Sequence, residues 1–278
     1  MTERSPLFEA QHADRYERQT LICGYEDTYK CRLVVLVDVI FAHSVTYFEE
    51  LVCDADPATD LHLLLYTPGG DGEIAVRLTR AAQARCRNLT VIVPDLAKSA
   101  GTLLAIGAHY ILMGPTSDLG PVDPQFEIKP GSLVSAKDII AAVDDATRKV
   151  QEAPETYPLH ASLLSDVTAL MVQQARSALA RTTDLLEEAL KSNPNRTEEE
   201  VAALKAKLKK RLVDVPQTHS AILGASEAAR IGLPVTEADP TSEQWRAIWR
   251  LWARYFALGS RVYEGARASQ VIPWVAPT

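Results

Sequence analysis

The chain is poor in the residues that announce a ligand by themselves. Its four cysteines, Cys23, Cys31, Cys53 and Cys86, form no C-x-x-C pair and no metal-ligand spacing. That pattern excludes a zinc knuckle and predicts reduced, mostly buried thiols. The six histidines are scattered without the spacing of a metal site. Positive charge is in deficit, with 29 Lys and Arg against 36 Asp and Glu, a net charge of -7 and a pI near 5.4. This leaves no electrostatic footprint for nucleic acid or anionic lipid. The longest apolar run, residues 33–42, is interrupted by Asp38 and is too short to cross a bilayer. The first 29 residues are polar and charged, with no apolar signal-peptide core. No G-x-x-x-x-G-K-[ST] loop is present, so the sequence shows no P-loop ATPase motif. The expectation is a soluble cytoplasmic protein with no metal, no cofactor, no nucleic-acid partner and no stable membrane insertion.

What is present is apolar content, 47% of 278 residues, enough for the core of one large domain or of one domain with a helical appendage. Residues 32–41 are dense in valine and predict a buried strand. Helical spacing over 43–53, a strand over 61–66, a helix over 73–86 and a third strand over 90–93 follow. A small-residue helix over 100–108 and a short strand over 110–113 complete the alternation. Strands and helices joined by short loops predict parallel β–α–β units with right-handed crossovers. Residues 116–131, rich in Pro, Gly and Asp, read as a functional loop. Beyond it lie helical stretches over 159–191 and 197–211, the second with Thr197 as N-cap, an acidic first turn and a basic end. A last helix-like block over 241–268 carries Trp245, Trp249 and Trp252 at helical spacing, as core or subunit interface. The organisation expected is an N-terminal arm (1–30), a main domain (31–240) with a helical insertion at about 155–212, and a C-terminal helical segment (241–278).

Two stretches about thirty residues apart carry the chemistry. The first, 63–70, is Leu-Leu-Leu-Tyr-Thr-Pro-Gly-Gly; the second, 91–102, is Val-Ile-Val-Pro-Asp-Leu-Ala-Lys-Ser-Ala-Gly-Thr. Each is an apolar run that stops at small, turn-competent residues and leads into a helical pattern. The glycine pair can present backbone N–H groups with no Cβ in the way. Ser99 puts one hydroxyl at a strand-to-helix turn, where a nucleophile is exposed; the structural alternative there is a helix N-cap serine. A nucleophile at one turn and oxyanion donors at the other are the minimum for acyl transfer. On this reading Ser99 is the nucleophile and Gly70 and Ala100 donate to the oxyanion, with Gly69 shaping the turn.

These residues resemble the Clp-fold serine peptidases, and most closely the serine dehydrogenase proteinase family. The likeness rests on Thr67-Pro-Gly-Gly, on Ala97-Lys-Ser-Ala-Gly-Thr-Leu-Leu-Ala and on Leu119-Gly-Pro-Val-Asp-Pro-Gln. It extends to Gln217-Thr-His-Ser, followed by Ala225-Ser-Glu-Ala-Ala-Arg-Ile-Gly-Leu-Pro-Val. The four elements span roughly residues 32–236 in order. The resemblance implies the spiral of ββα units shared by the Clp proteolytic subunit, signal peptide peptidase A and the crotonases. It also implies peptidase chemistry on peptide or protein substrates and a ring-like homo-oligomer. Lys98 departs from the apolar residue expected of relatives and is read as a solvated or pocket-rim charge.

The proton acceptor is open. A Clp-type triad would place a histidine about two dozen residues after the serine; here Val122-Asp123-Pro124 stands there, and no histidine lies between His109 and His160. A Ser–Lys dyad is favoured instead, because Lys137 lies 38 residues beyond Ser99 in a segment resembling the lysine segment of signal peptide peptidase A. Lys129 and Lys149 are weaker candidates. His219, in the closing motif, is the competing base, and Asp123 is an orienting or groove-lining residue. Two other functions share the fold. One is a catalytically degenerate oligomeric scaffold or partner-binding protein; the other is an acyl-CoA hydratase or isomerase using the same glycine oxyanion hole.

Overall fold

The computed structural model describes residues 5–215, 218 and 221–273. The strands are β1 (Cys31–Val37), β2 (Asp60–Tyr66), β3 (Leu89–Val93), β4 (Leu96–Ala97), β5 (Tyr110–Met113), β6 (Asp118–Leu119), β7 (Gln125–Lys129), β8 (Ser132–Ser135), β9 (Val235–Glu237), β10 (Ser260–Gly265) and β11 (Ser269–Pro273). The α-helices are α1 (Pro6–Gln11), α2 (Ala13–Tyr29), α3 (Ala42–Val52), α4 (Gly72–Gln83), α5 (Ala100–Ile106), α6 (Ala136–Glu152), α7 (Tyr157–Leu163), α8 (Ala169–Lys191), α9 (Glu198–Lys209), α10 (Ala225–Ile231) and α11 (Glu243–Leu258).

The main sheet has the order β11-β10-β1-β2-β3-β5-β9. Strands β1, β2, β3, β5 and β9 run parallel, while β10 and β11 close one edge antiparallel. Both faces are covered, which is why the central strands read as continuous apolar runs rather than alternating ones. On one face Val34, Leu36, Leu63, Leu65, Val91 and Val93 meet α3, α4, α5 and α8. On the other, Leu33, Val35, Leu64 and Ile92 meet α2 and α11 through Ile22, Trp245, Trp252 and Tyr255. Each such leucine, fully withdrawn from water, contributes about 2 kcal/mol of transfer free energy.

Several sequence expectations need correction. The N-terminal stretch is helical where described: α2 packs against the sheet, and Arg18 forms a buried pair with Glu264 of β10 at 2.8 Å. The block after residue 241 is helical only to Leu258, because Gly259 stops it with φ +58 and the chain returns as β10. The stretch 159–191 is two helices, α7 and α8. The loop over 116–131 contains β6 and β7, and β7 forms a hairpin with β8. That hairpin, α6 and α8 share a satellite cluster around Ala136, Ile139 and Ala175. The thiols divide evenly: Cys31 and Cys86 are buried, Cys23 and Cys53 exposed. Trp245 and Trp252 are buried, whereas Trp249 is 49% exposed.

Candidate active site

The parallel strands deliver both turns to the same end of the sheet, where an isolated bridge pairs Thr67 with Ala97. Thr67 N–H donates to the Leu96 carbonyl at 3.1 Å, and Lys98 N–H donates to the Thr67 carbonyl at 3.0 Å. Contact closes the joint further. A Cβ on Gly101 would lie 2.3 Å from Thr67 Cγ2, and one on Gly69 3.0 Å from Ser99 Cβ. The glycine pair is held from its other side by Ile40, whose N–H donates to the Gly69 carbonyl and whose carbonyl accepts from Asp71 N–H, both at 2.8 Å.

Ser99 sits between β4 and α5 with φ 49 and ψ -110. A non-glycine residue held there carries backbone strain, and serines at strained strand-to-helix turns present their Oγ outward. Ser99 holds the N-cap position of α5, but its side chain makes no capping bond. Gly69 and Gly70 have φ +129 and +132. Gly69 N–H is consumed locally, donating to Thr67 Oγ1 at 3.1 Å. Among the described residues, no acceptor pairs with the N–H of Gly70 or of Ala100.

Ser99 and Gly70 line a cleft of about 240 Å³ with Leu103, Val122, Asp123 and Pro124. Asp123 is only 3% exposed. Its loop is fixed on both flanks: Val122 N–H donates to the Leu212 carbonyl at 3.0 Å, and Ala136 N–H to the Pro124 carbonyl at 2.8 Å. One wall was missing from the sequence reading. Ala178, Arg181, Thr182 and Leu185 of α8 roof the cleft. Arg181 grips Glu73 of α4 through two bonds of 2.6 Å. That hydrogen bonding holds the Glu73 carboxyl below the usual carboxylate range and pushes the Arg181 guanidinium up. Nothing in the spacing of α8 pointed to this role.

Lys137 opens α6, but its ammonium donates to the Val213 carbonyl at 3.4 Å and is not among the residues lining the cleft. Lys129 pairs with Asp166 and Lys149 with Asp145. His219 lies outside the described residues. Lys98 is a correction: it is neither solvated nor at the rim. Its side chain is 13% exposed and paired with Asp118 of β6, whose own side chain is 14% exposed. Lys98 Nζ also donates to the Ala221 carbonyl at 3.3 Å, while Asp118 Oδ1 accepts from Leu223 N–H at 2.9 Å. The stem passes over Gly120, where a Cβ would lie 2.1 Å from Lys98 Cδ. Adjacent to Ser99 in sequence, Lys98 therefore points into the base of the turn, binding β4, β6 and the chain at 221–223 together.

A mostly parallel sheet with helices on both faces and a serine at a strand-to-helix turn defines a Clp-like α/β protein. The chain belongs to the ClpP-like SDH-type serine proteinase family, whose profile matches residues 52–248. Two uncharacterised proteins of Methanocaldococcus jannaschii are similar to it. One is 30% identical over 181 residues, covering 65% of this chain and 54% of that protein. The other is 26% identical over 181 residues, covering 65% and 53%. The chain thus spans about half the length of the curated relatives it matches. Among solved structures, a membrane-bound stomatin-specific protease aligns with TM-score 0.47 and 16% identity over 74% of this chain and 78% of that one. The same protease in complex with a substrate peptide aligns with TM-score 0.48 and 15% identity over 88% and 90%. Among the described residues of this chain, no helix is long and apolar enough to cross a membrane.

Proposed function

We propose that this chain is a serine endopeptidase that cleaves peptide bonds through an acyl-enzyme on Ser99. One observation carries the reading: a strained serine whose side chain makes no capping bond lines one cleft with left-handed Gly70. Ser99 Oγ attacks the scissile carbonyl carbon as its proton passes to a base. The oxyanion accepts hydrogen bonds from the N–H groups of Gly70 and Ala100, and its collapse expels the amine, which takes the proton. Water then releases the acyl group by the same route. Gly69 keeps the turn closed.

For the proton acceptor, a dyad with Lys137 requires its side chain to leave the Val213 carbonyl and to meet Ser99 Oγ as the neutral amine, which takes the hydroxyl proton. A second reading, His219 oriented by Asp123, is favoured by the burial of that carboxylate in the wall of the same cleft. The whole protein is proposed to act as a cytoplasmic homo-oligomer on peptides or proteins, with an unfoldase partner where its substrates are folded. In this scheme residues 31–240 form the peptidase domain.

Labelling with a fluorophosphonate serine trap tests both levels. The wild type should label and Ser99→Ala should not; labelling that survives Ser99→Ala overturns the nucleophile. Full labelling of Lys137→Ala with loss in His219→Ala assigns the base to the histidine, and the reverse pattern assigns it to the lysine.

A further inference from the structure

We propose that the groove along the outer side of α11 docks an acidic segment of a partner protein that also carries aromatic or aliphatic residues. The groove has a volume of about 570 Å³, with Pro115, Pro240, Trp245 and Trp249 as apolar lining and Arg246 and Arg250 among its walls. A second hollow of about 260 Å³ shares Thr116 and Trp249 with it and continues to Trp252 and Phe256. Phe256 is 72% exposed. From Arg246 to Phe256 the helix rises about 15 Å, the length of about five extended residues.

Charge identifies the occupant. Arg246 and Arg250 lie one turn apart; Asp239 is near enough to act on Arg246 electrostatically, but among the described residues neither arginine has a carboxylate within ion-pair distance. Arg254, one turn further on, is paired with Glu17, and Arg181 with both Glu73 and Glu188. In a chain of net charge -7, two guanidiniums without an ion-pair partner among the described residues stand beside tryptophan, and Trp and Arg are the residue types enriched at the energetic centres of protein interfaces. Guanidiniums take carboxylates in two-point hydrogen bonds. The acidic residues of the partner therefore belong at the Arg246 end. Asp95 borders the second hollow and repels them there, which leaves Trp252 and Phe256 for its apolar residues. The groove is concave and walled by proline, which suits an extended peptide better than the plane of a bilayer.

This surface is separate from the Ser99 cleft, with no lining residue in common. Its inner wall, however, is built from the two loops that feed the site. Asp95 lies four residues before Ser99, and Thr116 two before Asp118.

The test is binding of a fluorescein-labelled peptide, Glu-Glu-Asp-Pro-Leu-Phe, and of its reverse order, followed by anisotropy on the full chain. One of the two should bind in the micromolar range with an affinity that falls as salt rises. The double variant Arg246→Gln/Arg250→Gln, the variant Trp249→Ala and a Gln/Asn analogue of the peptide should each weaken binding by about tenfold or more. Labelling at Ser99 should persist in both variants. Failure of both peptides to bind, or binding indifferent to those changes, overturns the proposal. So does Arg- and Trp-dependent association with phosphatidylcholine–phosphatidylserine vesicles in place of the peptides, or self-association that the variants abolish. Binding is read without peptidase turnover, so its outcome is independent of the proposed catalytic function.

Discussion

At the scale of single residues, Gly70 is the position with least freedom. A Cβ there would lie 2.2 Å from the Ile40 carbonyl oxygen, on a backbone whose φ is +132. Gly70→Ala must move the turn that presents a proposed oxyanion donor. We expect Ser99 labelling to slow by on the order of 10²–10³, with a stability cost of about 1–3 kcal/mol. Gly24→Ala is the contrasting case. Nothing lies within 4 Å of the added methyl, in the interior of α2, so the variant should gain about 0.5–1 kcal/mol. Urea midpoints and labelling rates together distinguish the two. Ser99 and the glycine pair were legible in sequence because turn chemistry advertises unusual backbone. Lys98 was not. Its place beside Ser99 says only that it points elsewhere, and the partner that receives it, Asp118, comes twenty residues later.

At the scale of elements, that pair is a cross-brace. It ties β4 to β6 and reaches the carbonyl of Ala221. Both side chains are largely withdrawn from water, so removing either partner leaves the other charged and unpaired. Lys98→Met or Asp118→Asn should each cost about 3 kcal/mol in urea unfolding, while the double variant Lys98→Met/Asp118→Leu should recover part of the loss. With Asp118→Leu measured as its own single, a double variant no better than the sum of Lys98→Met and Asp118→Leu contradicts this account. The central strands were legible because two-sided burial demands unbroken apolar runs. The end of α11 was misread, since Val262 and Tyr263 continue an apolar pattern that the left-handed Gly259 has already ended. The β7–β8 hairpin was hidden too. Phe126, Ile128 and Val134 are partly buried residues packed against a small satellite cluster, so they carry too little apolar pattern to stand out from the surrounding Pro and Gly.

At the scale of the whole molecule, pH acts through the buried His109 and the partly buried His62. Burial pushes His62 and His109 below the ordinary 6.5. His109 Nδ1 accepts from Leu89 N–H at 2.9 Å, and His62 Nδ1 lies 2.9 Å from the Tyr25 hydroxyl. Below pH 6.5 the unfolded chain takes up protons that the folded chain refuses. The unfolded state then binds more protons, so stability rises with pH. This contribution is fully present above 6.5 and is lost as pH falls through 6.5 toward the folded values. The urea midpoint should drop across that window, and the drop should be shallower in His62→Gln and in His109→Gln; an unchanged slope in both contradicts the assignment. The overall architecture was legible because β–α alternation constrains topology so tightly, whereas the roof of the cleft was not, since α8 reaches it across more than seventy residues of chain. That division has an engineering meaning. Ser99 and the glycine pair belong to the frame, while the wall over the cleft is a separate helix fastened to α4 by Arg181 and Glu73. Exchanging α8 alone, residues 169–191, between relatives should therefore alter which peptides react at Ser99 while leaving Ser99, the glycine pair, Asp123 and Lys137 in place.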